Sequence, residues 1–398
     1  MIRNKRMNQN SKPTIGVFFG SRSPEHDISI ITAELIISGL KGLEYPVIPV
    51  YFAKDGTWYI NEKLGNLSFF QTDIWDFKNW HRYWLDLENS KEKIVLKQKG
   101  IFGKKITVEV AFPAFHGQYG EDGTIQGLWE IFNIPYVGCD VSSSALAKDK
   151  VFTKLIYKAK QIPTTDFIYF YNFEWNAKKE KILKEIQEKL NYPLFVKPAR
   201  LGSSIGIKKV KSQNELAEAI EVALHYDEKV LVENGIENVR DLTCAVLGDF
   251  KNPFVSLVQE SLYDVDFFTF EDKYLKGGGA QTGKAQQKIV IPAEIPEKIT
   301  EEVQNLAKEI FTTFGCSGIS RIDFLHDEKE NKLYANEINP LPGTLYHHLF
   351  KKSGVELPQL LQKLIDLALE RQKEKQQLIT TFSSSVLKQS NISNKLKI

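Results

Sequence analysis

Arg321-Ile322-Asp323 and Glu337-Ile338-Asn339 are two triplets in which polar residues flank an isoleucine, and a charged segment, residues 326–331, lies between them. Residues two apart on a β-strand point to the same face, so each triplet presents two polar side chains on one side. The pattern predicts an antiparallel hairpin that carries two carboxylates, an amide oxygen and a guanidinium on a single face.

The side chains on that face favour a site for a hard cation. Carboxylate and carbonyl oxygens suit Mg²⁺, which in proteins commonly also holds the phosphates of a substrate. Arg321 is suited to stabilising charge that builds up on a phosphoryl group or an oxyanion. The rigid turn that follows, residues 340–344, would hold a backbone N–H close to the same place. A solvated hairpin with ordinary surface charges is the alternative for this segment taken alone.

Length and composition indicate a globular protein of two or three domains. The chain has 398 residues, of which 42% are apolar and 26% are charged, too many residues for one compact core. The net charge of +2 gives no reason to expect nucleic-acid binding. The apolar stretch 28–43 is too short to cross a bilayer, and the basic N-terminus is no signal peptide. Scattered cysteines are consistent with a reducing cytoplasm, where we expect the protein to act: Cys139, Cys244 and Cys316.

The pattern of the N-terminal region predicts the first strand, loop and helix of an α/β unit. Residues 14–19 form a short apolar run with β-branched and aromatic residues, and a Gly/Ser loop, residues 20–25, follows it. The apolar spacing after this loop predicts a helix capped by Asp27 or Ser29. Such loops place ligands at a helix N-terminus. Further on, residues 145–160 are predicted to form one continuous helix.

Two later loops have the composition of phosphate-contacting segments. Residues 194–198 predict a strand that delivers Lys197 to a loop containing Ser203 and Ser204, where backbone N–H groups could converge on an anion. A flexible turn is the alternative. Residues 278–284 match most of a P-loop, but Ala285 stands where a metal-binding hydroxyl is required. We interpret that segment as a glycine-rich lid over an active site.

Taken together, eight segments in order resemble the D-alanine–D-alanine ligase family of the ATP-grasp superfamily, over residues 20 to about 349. The segments that carry the resemblance are Gly20 to Ser29, His116 to Gly127, Pro135 to Gly138, Ser144 to Lys150, Phe195 to Gly206, Lys273-Tyr274, Arg321 to Phe324 and Glu337 to Gly343.

The resemblance implies an α/β (α+β) protein with an ATP-grasp fold preceded by a Rossmann-like (pre-ATP-grasp) domain, three domains in all. The implied division is a tail at 1–13, an N-terminal α/β domain at 14–141, a central ATP-grasp subdomain at 142–232, a C-terminal ATP-grasp subdomain with the metal site and lid at 233–370, and a disordered tail at 371–398.

The resemblance also implies a reaction in two steps. ATP phosphorylates the carboxylate of one D-alanine, and the amine of a second D-alanine attacks the acyl phosphate, for peptidoglycan synthesis. The residues implied to bind ATP are Lys150, Lys197, Ser203, Ser204, Glu233, Ile236 and Asp241. The residues implied to hold two Mg²⁺ or Mn²⁺ ions are Asp323, Glu337 and Asn339.

The remaining implied roles concern the two amino acids. Glu25 would bind the ammonium of the first D-alanine with His116 nearby, and Arg321 with the Gly343 N–H would form the oxyanion site. Lys273 would pair with the carboxylate of the second substrate, while Tyr274 closes the lid against Glu25 and Ser203.

Two departures from the family pattern concern the acceptor and the metal site. His348 stands where the family usually has a serine that touches the acceptor carboxylate, and Pro340 replaces the usual threonine after Asn339. An ATP-grasp ligase with the same chemistry and another acceptor, such as D-serine, D-lactate or a larger amine, is therefore the alternative. A nucleotide-binding module without catalysis is a more distant one. The family suggests a homodimer with small-molecule substrates as its other partners.

Overall fold

The computed structural model describes residues 12–262 and 288–384, apart from positions 73, 74, 76, 78 and 101. The predicted lid, with Lys273 and Tyr274, lies outside these residues. Within the described ranges the strands form three sheets.

The first sheet lies in the N-terminal part of the chain and has the strand order β6-β5-β4-β3-β2-β1-β7. Strand β1 runs parallel to β2 and β7, and the other pairs are antiparallel. All six residues of β1 are buried, as expected for a central strand that is covered on both faces. The strands are β1 (Ile15–Gly20), β2 (Val47–Phe52), β3 (Trp58–Ile60), β4 (Arg82–Leu85), β5 (Ile94–Gln98), β6 (Lys105–Val108) and β7 (Val110–Pro113).

Helix α1 (His26–Gly42) follows the loop after β1 and packs its apolar side on this sheet. Its N-cap is Glu25, which makes no side-chain cap hydrogen bond, so the predicted caps Asp27 and Ser29 are wrong. Asp27 instead lies in the first turn, where its charge complements the helix dipole. The Ser29 hydroxyl donates to the Ala114 carbonyl and ties α1 to the end of β7.

The aromatic-rich residues 58–87 add short elements to the edge of this sheet. They comprise β3, a 3-10 turn (Glu62–Gly65), helix α2 (Leu67–Phe70) and β4. The rings pack largely on one another, with Tyr59 and Phe77 stacked at 4.5 Å and Phe52 and Trp58 at 4.0 Å between centroids. Packing between aromatic rings therefore accounts for the aromatic composition of this segment.

The segment 145–160 forms two helices rather than the single one predicted. Asp149 is extended between them, and its Oδ1 accepts hydrogen bonds from the Val151 and Phe152 amides. A short acidic side chain competes for backbone N–H groups in this way and begins a new helix. Lys150 consequently lies at the first turn of the second helix. The helices here are α3 (Thr124–Ile131), α4 (Val141–Lys148) and α5 (Lys150–Ala159).

The second sheet is antiparallel, with the order β10-β9-β11-β8. Helices α6 and α7 contribute buried apolar residues to the core beneath it. Its elements are β8 (Phe167–Tyr171), α6 (Asn172–Lys189), β9 (Leu194–Pro198), β10 (Lys208–Val210), α7 (Gln213–Leu224) and β11 (Lys229–Asn234).

The third sheet contains the predicted hairpin and has the order β14-β13-β12-β15-β16. Helix α8 packs beneath it through buried apolar residues. A bulge interrupts the β15–β16 register between Asp323 and Phe324. Its elements are β12 (Val239–Gly248), β13 (Phe254–Leu262), β14 (Lys288–Val290), α8 (Glu297–Thr313), β15 (Gly318–Asp327) and β16 (Lys332–Asn339).

The chain after β16 passes through a 3-10 turn (Gly343–Tyr346) into helices α9 (His347–Lys352) and α10 (Leu357–Lys375). Helix α10 runs past residue 370, where the sequence predicts a disordered tail. It is anchored there because Arg371 donates to the Gly138 and Tyr136 carbonyls, at 2.6 Å each. In the described part of the chain, no helix has the length and apolarity needed to cross a membrane.

Candidate active site

The hairpin brings the four predicted polar side chains together. Arg321 pairs with Asn339 across the strands, and Asp323 pairs with Glu337. The Arg321 guanidinium binds both Asp323 oxygens, with Nη2 2.6 Å from Oδ2 and Nε 2.9 Å from Oδ1. Its Nη2 also lies 3.3 Å from Glu337 Oε1. One cation therefore bridges two carboxylates on the face that the sequence predicts.

The oxygen atoms on this face fit a magnesium ion. Asp323 is buried, and burial together with the charge of Glu337 outweighs Arg321 and raises the pKa of the Asp323 carboxyl. Crowded carboxylates of this kind are stabilised by a hard cation. Asn339 Oδ1 accepts one hydrogen bond, from the Leu341 amide at 3.0 Å, and retains a second lone pair. Within the described ranges no cluster of three His, Cys, Asp or Glu side chains could hold a metal. The oxygen atoms on this face come from two carboxylates and the Asn339 amide.

Lys150 joins the hairpin from the start of α5. Its Nζ lies 3.2 Å from Glu337 Oε2 and donates to the Leu201 carbonyl at 2.7 Å. The predicted phosphate-binding lysine is therefore beside a predicted metal ligand and beside the Gly-Ser-Ser loop.

Lys197 is directed toward Glu233 on the neighbouring strand β11. Its ammonium forms an ion pair with Glu233 Oε1, while Lys154 Nζ lies 2.6 Å from Glu233 Oε2. Thr165 also donates to Glu233 Oε2, at 2.9 Å. Burial opposes ionisation of this carboxyl, but the two lysines more than offset burial and lower the pKa of Glu233 to about 2. The carboxylate is thus a fixed anion that orients Lys197; the role of Lys154 was missed from the sequence.

The other two residues predicted to bind the nucleotide lie near the connection between β11 and β12. Ile236 lines a pocket of about 310 Å³ together with Asn234 and Tyr334. Asp241 lies on β12, opposite Leu325 of β15.

Glu25 and the Gly-Ser-Ser loop are in contact. The Ser203 hydroxyl donates to Glu25 Oε1, and Ser203 and Ser204 both have left-handed backbone angles, with φ of 54° and 59°. A Cβ at Gly202 would approach the Glu25 carboxylate to 3.0 Å, so a glycine leaves room for this contact. The loop after β1 and the loop after β9 therefore meet at the Glu25 carboxylate.

His116 lies behind this carboxylate, in a buried network. Its Nδ1 is 3.1 Å from Glu121 Oε1, and Lys148 Nζ donates to Glu121 Oε2 at 2.6 Å. Lys148 is also 3.9 Å from Glu25 Oε2. Burial raises the pKa of Glu121, but the charge of Lys148 and the hydrogen bond from His116 outweigh burial and lower it to about 2. Glu121 is therefore a buried anion.

The turn after Gly343 has an unusual backbone. Thr344, Leu345 and Tyr346 all adopt left-handed angles, with φ of 48°, 55° and 51°. Such angles cost a residue with a side chain roughly 1–2 kcal/mol each, so the surroundings must hold them. The Thr344 amide donates to Thr32 Oγ1 at 3.0 Å, and Leu345 is fully buried.

His348 belongs to a polar group next to Arg321. Its Nε2 is 2.8 Å from Gln259 Oε1, and Gln259 Nε2 donates to the Tyr346 hydroxyl at 3.0 Å. The Tyr346 ring lies over the Arg321 guanidinium at 5.5 Å. Burial, and then the charges of His347 and Arg321, lower the pKa of His348 to about 4. His348 is therefore neutral at physiological pH, and no sequence signal indicated Gln259 as its partner.

Comparison with known proteins agrees with this arrangement. Residues 14–139 match the family model described as D-ala D-ala ligase N-terminus, and residues 156–366 match the one described as D-ala D-ala ligase C-terminus. The D-alanine–D-alanine ligase of Thermosipho melanesiensis is 42% identical over 94% of this chain and 98% of its own. The chain belongs to the D-alanine–D-alanine ligase family.

Other members of the D-alanine–D-alanine ligase family include a relative from Caldicellulosiruptor bescii, 38% identical over 92% of this chain and 98% of its own. The solved D-alanine–D-alanine ligase of Coxiella burnetii is 29% identical, covers 92% of this chain and 96% of its own, and superposes with a TM-score of 0.76. The VanG D-Ala:D-Ser ligase of Enterococcus faecalis is 33% identical over 90% of this chain and 100% of its own, with a TM-score of 0.76. The predicted family and the α/β ATP-grasp fold class are confirmed.

Proposed function

We propose that this protein joins two molecules of D-alanine into D-alanyl-D-alanine, with ATP converted to ADP and phosphate, for peptidoglycan synthesis. The observation that carries the proposal is the convergence of the Arg321–Asp323–Glu337 face, Lys150 and the Glu25–Ser203 pair, in a chain of the D-alanine–D-alanine ligase family. These groups are the charges that phosphoryl transfer to a carboxylate and attack by an amine require.

In the first step, the chain's cations position ATP. Lys150 and Lys197 bind phosphate oxygens, and the Ser203-Ser204 loop covers them with backbone N–H groups. Glu233, Ile236 and Asp241 bind the adenosine. Asp323, Glu337 and Asn339 would hold Mg²⁺ or Mn²⁺, two ions in this proposal, which would neutralise charge on the phosphoryl group.

Glu25 binds the ammonium of the first D-alanine, and Ser203 holds the Glu25 carboxylate in place. The carboxylate of this D-alanine attacks the γ-phosphate, so that an acyl phosphate and ADP form. Lys148 lies closer to Glu121, at 2.6 Å, than to Glu25, at 3.9 Å, so the Glu25 carboxylate keeps the capacity to accept from the substrate ammonium.

In the second step, the amine of the second D-alanine attacks the acyl carbon, and phosphate leaves. Arg321 and the Gly343 N–H stabilise the oxyanion of the tetrahedral intermediate. Lys273, Tyr274 and His348 keep the acceptor-side roles that the family resemblance implies, with His116 behind Glu25. We also propose the three-domain division at 14–141, 142–232 and 233–370, a homodimer, and a cytoplasmic location.

The test is product formation by the purified protein with ATP, Mg²⁺ and D-alanine. We expect one phosphate released for each dipeptide detected by mass spectrometry, and no dipeptide with L-alanine. A panel that pairs D-alanine with D-serine, D-lactate or a larger amine measures acceptor preference. Turnover of ATP without dipeptide, or a strong preference for another acceptor, would overturn the proposal.

A further inference from the structure

A chain of buried hydrogen bonds connects the region of Glu25 with the turn after Gly343. Lys148 donates to Glu121 at 2.6 Å, and Glu121 accepts from His116 Nδ1 at 3.1 Å. His116 Nε2 is 2.8 Å from Thr32 Oγ1, and Thr32 Oγ1 accepts from the Thr344 amide at 3.0 Å. The chain thus joins α4, the loop after β7, α1 and the turn, which are far apart in sequence.

The Thr32 hydroxyl is the link between the His116 ring and the turn. Glu121 is ionised and can only accept, so His116 carries a proton on Nδ1. On the other side of the ring, Nε2 lies 2.8 Å from Thr32 Oγ1, within hydrogen-bond distance. The Thr344 N–H donates to the same oxygen, so Thr32 Oγ1 has two buried partners, the His116 ring and the Thr344 amide. A hydroxyl is therefore needed at this position, and an apolar side chain of the same size would leave two buried groups unpaired.

The turn at the end of this chain controls two groups of the proposed reaction. Thr344 directly follows Gly343, whose N–H is the proposed oxyanion donor. Tyr346 ends the left-handed run, and its ring covers Arg321. Three consecutive left-handed residues would relax toward ordinary angles without anchors, and such a relaxation would move both the amide and the ring.

We propose that Thr32 is a positioning residue for ligation, which holds the Thr344 amide and thereby keeps the left-handed turn, the Gly343 N–H and the Tyr346 ring in the reactive arrangement. The proposal rests on the proposed function for its kinetic consequence, though not for the structural one. Thr32 does not touch the substrate; it acts through the turn.

The kinetic test compares Thr32→Val, which removes the hydroxyl at constant size, with Thr32→Ser, which keeps it. We expect Thr32→Val to lower kcat by between about 10-fold and 100-fold, the scale of a displaced reacting group, while the KM for ATP is unchanged. Thr32→Ser should restore most of the activity. Thr153→Val is the matched control, because Thr153 is a buried threonine that donates to the Leu146 carbonyl at 3.0 Å.

Equal losses in Thr32→Val and Thr153→Val, or a failure of serine to restore kcat, would overturn the proposal. Amide hydrogen exchange of the segment 341–349 supplies a readout that does not depend on activity and that can be measured on the wild type alone. We expect the Thr344 amide to be protected in the wild type and in Thr32→Ser, and to exchange faster in Thr32→Val.

Rapid exchange of the Thr344 amide in the wild type would exclude the role of Thr32 even if every variant failed to fold. A wild type that makes no dipeptide while this amide is protected would instead reject the proposed function and leave the structural assignment standing. The two failures are therefore distinguishable.

Discussion

Arg321 and Asp323, two residues apart on one strand, form a bidentate ion pair in which the guanidinium also reaches Glu337 at 3.3 Å. Arginine suits this place because its planar fork binds a carboxylate with two parallel hydrogen bonds. The proposed oxyanion donor is thus oriented by the proposed metal ligands, so changes to either should affect both steps of the reaction.

Removal of the Arg321 side chain tests its role in the rate. Arg321→Ala should lower kcat by about 10²-fold or more, the scale of a lost oxyanion donor, with a much smaller change in the KM for ATP. Arg321→Lys keeps the charge but loses the planar guanidinium, so its kcat should lie between that of Arg321→Ala and that of the wild type. Steady-state kinetics with ATP and D-alanine varied in turn measures both constants. Equal losses in ATP binding and in rate would indicate a structural role instead.

Glu337 is predicted to set the metal requirement. Glu337→Gln keeps the size but removes the charge, so the Mg²⁺ concentration for half-maximal activity should rise by roughly tenfold or more. Glu330→Gln is the control, because Glu330 lies in the exposed turn of the same hairpin and pairs with Lys332 at 2.7 Å. Identical metal titrations for the two variants would remove Glu337 from the ligand set.

The buried Glu233 group predicts acid sensitivity. The pKa of Glu233 is about 2 in the folded protein and near 4.5 when the chain is unfolded, so its stabilisation is present above about pH 4.5. That contribution is lost as the pH falls from about 4.5 through about 2. The destabilisation caused by Glu233→Gln should therefore be a few kcal/mol at pH 7, because two lysines lose their partner, and should shrink toward pH 3.

Thermal unfolding midpoints of wild type and Glu233→Gln between pH 7 and pH 3 measure this difference. Glu330→Gln, at an exposed carboxylate, should differ from wild type by little at any pH in this range. A gap between wild type and Glu233→Gln that stays constant with pH would contradict the ionised carboxylate.

His348 predicts a further loss of stability, at mildly acidic pH. The pKa of His348 is about 4 when folded and near 6.5 when unfolded, so the unfolded chain takes up the proton first. Stability should therefore fall as the pH drops from about 6.5 toward about 4, and His348→Gln should reduce that fall. His81→Gln, at an exposed histidine, is the control in calorimetric scans at pH 7.5 and pH 5. No difference between the two variants would place His348 in a more solvated setting.

Local patterns were sufficient to predict the hairpin and the first loop. The alternation across Arg321-Ile322-Asp323 and Glu337-Ile338-Asn339 has the period of a strand, and hydrogen bonding in a two-stranded hairpin links residues close in sequence. The strand before Gly20, the strand that carries Lys197, and the family membership were likewise predicted from short segments. The roles of individual site residues remain predictions that the experiments above test.

Other features depended on contacts between distant segments, which no local pattern encodes. Asp149 divides a predicted helix because its side chain caps the next one, and Arg371 keeps α10 ordered through carbonyls at Tyr136 and Gly138.

The sequence by itself determined which residues alternate on the hairpin, where the glycine-containing loops lie and which charges are available near them. Tertiary structure alone decided the partners: Glu121 with Lys148, Glu233 with Lys154, Gln259 with His348, and Thr32 with the Thr344 amide. The physical reason is that a buried polar group must find a partner wherever the packed chain supplies one, and that partner is selected by proximity in space and not in sequence.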